Sequence, residues 1–274
     1  MFRARDPESA LILLHIPKTA GTTLAIILIG HYGQENTKAV TGGDPGREAF
    51  AQEPETERLR PALFIGHQPF GIHEHVPRNC DYVTVIRDPV ARVVSHYHHV
   101  LNETSHYLHS MVRSRKMTLL QYAQNAIGTK ELDNGQTRML ADHTLNARTP
   151  VRSGSRDLLE SAKKNLETHF CAVGLTERFD ESMVMLADSL GWQSIPPYLP
   201  ARVSGRSGRY PLSRDVTERI RDMNSLDAEL YEWVAARFER QAQEYGPALA
   251  DRVARIRDLN AAAARAAASH TAAP

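Results

Sequence analysis

Lys18, His67, Arg87, Ser95 and Glu177 are the residues of this 274-residue chain whose types and neighbours suit work on an anion. Lys18 stands in Pro17-Lys18-Thr19-Ala20-Gly21-Thr22-Thr23, between the apolar run Leu11 to Leu14 and a second apolar run that reads as a helix. Strand, Lys/Gly/Thr turn, then helix makes an anion site. The unpaired N–H groups of the first helical turn converge on one point, Gly21 lets a ligand approach the backbone, and Lys18 adds a mobile positive charge. A phosphate or sulfate is the predicted ligand. Arg87, in Arg87-Asp88-Pro89-Val90-Ala91-Arg92-Val93-Val94-Ser95, is placed to offer its guanidinium to a phosphate, with the Ser95 hydroxyl two turns along reaching the same group. Charge-assisted bonds of this kind are worth about 1.5–3 kcal/mol each. His67 supplies an imidazole, the side chain best suited to accept a proton near neutral pH.

The elements that must position these residues are legible as apolar runs. Leu11 to Leu14, Ala62 to Gly66, Asp81 to Ile86 and His169 to Leu175 read as four strands, and Lys18, His67, Arg87 and Glu177 follow them directly. Helical stretches alternate with them: from Pro89, with Asp88 as its cap, through His99; from Arg156 to Thr168; from Phe179 to Leu190; and from Arg214 to about Tyr245. Alternation of this kind predicts an α/β fold, a P-loop-like, doubly wound parallel sheet flanked by helices in a single domain, with ligands bound outside the carboxyl ends of the strands. Residues 31–60 read as a loop with one short helix near Arg47 to Gln52, and 193–213 as a Pro/Gly/Ser/Arg-rich loop, a candidate lid. The expected division is a catalytic domain over 1–246 and an Ala-rich helical or disordered tail over 247–274.

The loop is not a Walker A motif, which places its lysine after the glycine run. The order in PKTAGTT resembles the 5′-phosphosulfate loop of sulfotransferases that use 3′-phosphoadenosine 5′-phosphosulfate (PAPS). With RDPVARVVSHY, the chain resembles the carbohydrate branch of that family, typified by heparan sulfate 2-O-sulfotransferase and bacterial relatives, over about residues 10–240. The resemblance implies that Lys18, Thr19, Ala20, Gly21, Thr22 and Thr23 hold the 5′-phosphosulfate. It also implies that Arg87 and Ser95 bind the 3′-phosphate, with Arg206 and Arg209 as further candidates, and that His67 in Gly66-His67 is the catalytic histidine. Weaker echoes are Asn134-Gly135-Gln136-Thr137-Arg138 and Val173-Gly174-Leu175-Thr176-Glu177. The chemistry so implied is in-line sulfuryl transfer to an acceptor hydroxyl, with His67 as general base and Lys18 neutralising charge on the leaving oxygen. The expected acceptor is an oligosaccharide or polysaccharide; Arg113, Arg115, Lys116, Lys130 and Arg138 suit an anionic sugar or another acidic acceptor if they line the cleft, and otherwise make a solvated basic face. The alternatives are a small-molecule or tyrosyl acceptor, a nucleotide kinase, which would need magnesium, and a non-catalytic nucleotide-binding protein.

A net charge of +1 argues against bulk binding to nucleic acid or membrane, so recognition must come from a site. Cys80 and Cys171 beside apolar runs read as small buried residues. No stretch reaches the roughly 20 apolar residues of a membrane span, and the amino terminus lacks a signal-peptide core. A cytoplasmic enzyme is therefore expected, or a chain trimmed of the anchor carried by Golgi relatives. No metal is expected: His96, His98 and His99 do not share a helical face, only 95/98/99 and 102/106/109 stack, and no cysteine or carboxylate pattern completes a zinc site.

Overall fold

The computed structural model describes residues 2–126, 129–199 and 212–271. Its centre is a parallel sheet of five strands, β1 (Ala10–Leu14), β2 (Thr37–Ala39), β3 (Leu63–Gly66), β4 (Cys80–Ile86) and β5 (Phe170–Leu175), in the order β2-β3-β1-β4-β5. Every residue of β1 and β5 is buried, as both faces of a parallel strand should be once helices cover them. The chain enters at β1, moves outward to β2 and β3 on one side, then crosses to β4 and β5 on the other. Strand order therefore reverses at β1, and the switch-point crevice of a doubly wound sheet opens at its carboxyl end. Register sets Leu14 against Gly66 and Ile86 against Leu175. The residues that follow β3, β1, β4 and β5 thus emerge side by side.

Thirteen helices accompany the sheet among the described residues. After β1 comes α1 (Gly21–Tyr32), and between β2 and β3 lie α2 (Gly43–Ala51) and α3 (Glu55–Leu59). Between β4 and β5 run α4 (Pro89–Asn102), α5 (His109–Ser114), α6 (Leu119–Ala126), α7 (Gly135–Leu140), α8 (His143–Arg148) and α9 (Arg156–His169). After β5 follow α10 (Phe179–Ser189), α11 (Arg214–Met223), α12 (Ser225–Tyr245) and α13 (Pro247–Thr271). Helices α4, α5, α6 and α11 share an apolar cluster of their own. The four expected strands are present. Residues 31–60 hold more order than a loop, because Thr37–Ala39 adds a short edge strand to β3 and two helices follow it. Three residues without an apolar run leave no strand signal in sequence.

The segment expected to be a tail begins as core. Leu249, Val253 and Ile256 of α13 are buried with the main apolar cluster, and the Arg252 guanidinium holds both oxygens of Asp188 on α10 at 2.6 Å. Alanine-rich composition hides this, since the burying residues recur only every three or four positions. Both cysteines carry free thiols, Cys171 buried and Cys80 half-buried.

Candidate functional site

Beyond β1 the chain reverses through two left-handed residues, Lys18 (φ 71°) and Ala20 (φ 65°). Each costs about 1–3 kcal/mol for a residue with a Cβ, so the surrounding contacts must hold the turn. Buried Thr19 does so, its hydroxyl donating to the Ile16 carbonyl at 2.9 Å. The N–H groups of Thr23 and Leu24 return to the Ala20 carbonyl at 3.0 and 3.2 Å, which leaves those of Gly21 and Thr22 without an intrahelical acceptor. Lys18 and Thr22 line an open cavity of about 560 Å³, whereas Thr19, Ala20, Gly21 and Thr23 lie outside its lining. Gly21 serves a different purpose from the one expected. A Cβ there would collide with the His15 ring, so the room it leaves is filled by protein rather than kept for a ligand.

The second segment meets the first. Arg87, at the end of β4, donates from Nη1 to the Lys18 carbonyl at 3.1 Å, and its Nε lies 4.0 Å from Glu177 Oε1. The Gln136 side-chain amide holds both the N–H (2.9 Å) and the C=O (2.8 Å) of Arg87, fixing the strand end from outside. Arg92, fully buried, donates to the Pro17 carbonyl at 3.1 Å and to the Glu131 carbonyl at 2.8 Å. Ser95 is buried on α4 and, like Arg87, lies outside the cavity lining. Asp88 caps α4 as its sequence predicts, accepting the Ala91 N–H at 2.8 Å. Glu177 accepts from the Asp88 N–H (3.1 Å) and the Tyr231 hydroxyl (3.0 Å), so it orients the Arg87 corner. Arg206 and Arg209 lie outside the described residues.

His67 reaches the cavity from the end of β3. Its ring centroid is 4.2 Å from that of His15, and its Nδ1 is 2.7 Å from the His15 carbonyl. A carbonyl can only accept, so Nδ1 carries the hydrogen and the lone pair of the neutral ring sits on Nε2. His67 and Lys18 line the same cavity. Burial, then His67 and Lys18, push the pKa of His15 down to about 3. Burial, then Lys18, His96 and His106, lower that of His99 to about 4.

Across residues 96–147 the cavity wall departs from expectation. Helix α4 stops at Asn102, and the turn over 103–108 brings the His106 ring back to 5.4 Å from His96 and 5.6 Å from His99, so His106 and His109 do not continue its face. Buried His96 places Nδ1 2.5 Å from the Tyr122 hydroxyl and Nε2 2.6 Å from Glu131 Oε1. Burial works against the Glu131 carboxylate, but the His96 hydrogen bond and the neighbouring His96, Arg92 and His106 outweigh it and hold the pKa at about 2. Of the cations expected to meet an acceptor, Lys130 lines the cavity while donating to the Asn146 and Ala147 carbonyls at 2.7 and 2.9 Å. Arg138 borders it but is buried and committed to Asp133 at 2.6 Å and to the Thr149 and Pro150 carbonyls. Arg113, Arg115 and Lys116 are exposed and outside the lining. The Asn134 to Arg138 motif is scaffold: Gln136 clamps Arg87, and Thr137 binds buried Asp227 through N–H and hydroxyl at 2.7 and 2.8 Å. Sequence reasoning passed over Arg92, although a charge between Val90 and Val93 on a core-facing helix is a signal. His15 and Glu131 carried none.

A sequence model of the galactose-3-O-sulfotransferase family matches residues 2–271. Heparan-sulfate 6-O-sulfotransferase 1 of Cricetulus griseus is 27% identical over 282 residues, which cover 86% of this chain and 69% of that protein. Heparan-sulfate 6-O-sulfotransferase 2 of Homo sapiens is 26% identical over 279 residues, 86% of this chain and 46% of its own length. The carbohydrate branch agrees with the motifs, although these relatives are 6-O- rather than 2-O-sulfotransferases. Mouse sulfotransferase SULT7A1, solved with PAP, aligns with 86% of this chain and 91% of its own at 13% identity and a TM-score of 0.31, too loose a likeness to argue from.

Proposed function

Because the chain belongs to the galactose-3-O-sulfotransferase family, we propose that it moves the sulfuryl group of PAPS to a hydroxyl of a carbohydrate acceptor. The observation that carries this reading is the meeting of its two motifs: Arg87 bonded to the Lys18 carbonyl, with Lys18 and His67 on one cavity. PAPS supplies the activated sulfuryl group and, as leaving group, adenosine 3′,5′-bisphosphate. In this reading Lys18, the Thr22 hydroxyl and the N–H groups of Gly21 and Thr22 hold its 5′-phosphosulfate, while Arg87 and Ser95, outside the cavity lining, take its 3′-phosphate as the family resemblance implies. The Nε2 of His67 takes the acceptor hydroxyl proton while the oxygen bonds to sulfur, and Lys18 offsets the negative charge gained by the leaving phosphate oxygen. The named heparan-sulfate relatives favour an acidic polysaccharide as acceptor.

The test pairs two readings on one variant. His67→Ala is expected to lose about 10²–10⁴ in turnover, the usual contribution of a general base. It should keep the wild-type thermal shift with adenosine 3′,5′-bisphosphate, which in turn should exceed the shifts with ATP and adenosine 5′-phosphate. Near-wild-type turnover would remove His67 from the mechanism, and an equal response to all three nucleotides would remove PAPS.

A further inference from the structure

We propose that His96, His106 and Glu131 form a binding site for a divalent transition-metal ion, zinc by preference, in the wall of the cavity that Lys18 and His67 share. One ligand atom from each of the three residues lies within 4.8 Å of the other two, and all three side chains line the cavity. They come from three separate pieces of chain: α4, the reversing turn after it, and the residues ahead of α7. Helical spacing and the lack of a local cysteine or carboxylate pattern pointed away from a metal. Folding supplies what no single helix does, a carboxylate from 35 residues beyond His96 and an imidazole from the turn.

The ligands are held as metal ligands are held. The Tyr122 hydroxyl at Nδ1 of His96 fixes the ring so that Nε2 faces Glu131, the outer-shell arrangement that orients a ligating histidine. Glu131 is tethered twice, its carbonyl by buried Arg92 and its Oε2 by the Tyr107 hydroxyl at 3.3 Å. Two imidazoles and a carboxylate suit zinc, copper or nickel better than magnesium or calcium, and three protein ligands leave a fourth position open to the cavity. The adjustment needed is small. His96 Nε2 and Glu131 Oε1 are now 2.6 Å apart across a shared proton; as two ligands of one tetrahedral zinc they would stand roughly 3.3 Å apart. As the metal takes Nε2, the proton there is released and Nδ1 carries the ring's one hydrogen toward the Tyr122 oxygen, so that a neutral imidazole ligates. His106 gives up at most a long bond, its Nδ1 accepting the Leu108 N–H at 3.2 Å. An ion here would put a positive charge and an open coordination position on the wall of the cavity, where a carboxylate or sulfate of an acceptor could take it.

The experiment uses untagged, chelator-treated protein and the metal alone, so its result is independent of donor, acceptor and turnover. Titration calorimetry with Zn²⁺ is expected to give one equivalent, and Co²⁺ a visible d–d spectrum. Glu131→Gln and His106→Ala should each weaken binding at least tenfold, and Tyr122→Phe about tenfold. His143→Ala, in the more exposed group of Glu74, Asp142 and His143, should bind as wild type. Absence of stoichiometric binding, unchanged affinity in Glu131→Gln, or loss in His143→Ala alone would overturn the proposal. Glu131→Gln keeps the size and shape of the native residue and one of its two acceptor oxygens while removing the charge, so it decides the matter even if His106→Ala does not fold.

Discussion

In the loop that follows β1, the turn itself is shaped locally: Thr19 bonds Ile16, Thr23 and Leu24 bond Ala20, and two left-handed residues fall within three positions, while Arg87 and Arg92 reach only its carbonyls from a distance. In the wall facing it, partners are far apart in the chain, His96 with Glu131, Thr137 with Asp227, Gln136 with Arg87. A local loop writes its shape in adjacent residue types. A wall assembled from distant pieces does not, and buried polar bonds do the work that sequence order does in the loop.

The largest effect expected from this contrast is on stability. Asp133→Ala leaves the buried Arg138 guanidinium without its carboxylate, and chemical denaturation should show a loss of about 3–5 kcal/mol. Affinity for adenosine 3′,5′-bisphosphate in the folded fraction should stay within a factor of two or so. A parallel fall in affinity would break the distinction between loop and wall. Acid comes next, and it probes both sides, through His15 and His99. Each has its folded pKa below the ordinary value near 6.5, so the unfolded chain binds more protons and stability falls as pH drops. That contribution is complete above pH 6.5 and declines through the window down to about 4 for His99 and about 3 for His15. His15 should account for about 2–3 kcal/mol of it, once its partial opening to the cavity is allowed for. His15→Asn should flatten the pH dependence of the melting temperature on the loop side alone. The smallest effect sharpens the picture at the α4 cap, where Asp88→Ala should cost about 1 kcal/mol, read by denaturant midpoint.

The same contrast explains what could be read in advance. Four strands, the Asp88 cap with Pro89, and the helices over 156–169 and 179–189 follow from apolar periodicity and capping chemistry, which act over a few residues. The approach of PKTAGTT to RDPVARVVS followed from strand ends alone, because a doubly wound sheet gathers them on one edge. What escaped was nonlocal. The reversal at 103–108, which carries His106 back to His96, has no signature in the residues it joins. Lys130 and Arg138, promising as surface cations, turn out to bond backbone carbonyls, and the sequence reports their charge but not its commitment. The edge strand over 37–39 was too short to carry a pattern.

Arg92 has a consequence for redesign. With one arm on the Pro17 carbonyl and another on the Glu131 carbonyl, and with Gly135 leaving room where a Cβ would stand 3.0 Å from Nη2, it splices the two sides of the cavity into one block. Residues 103–147 are therefore no interchangeable cassette. A graft from a relative with a different acceptor would have to bring a backbone oxygen back to that guanidinium and a glycine back beneath it, or the loop around Lys18 would lose its footing along with the transplanted surface.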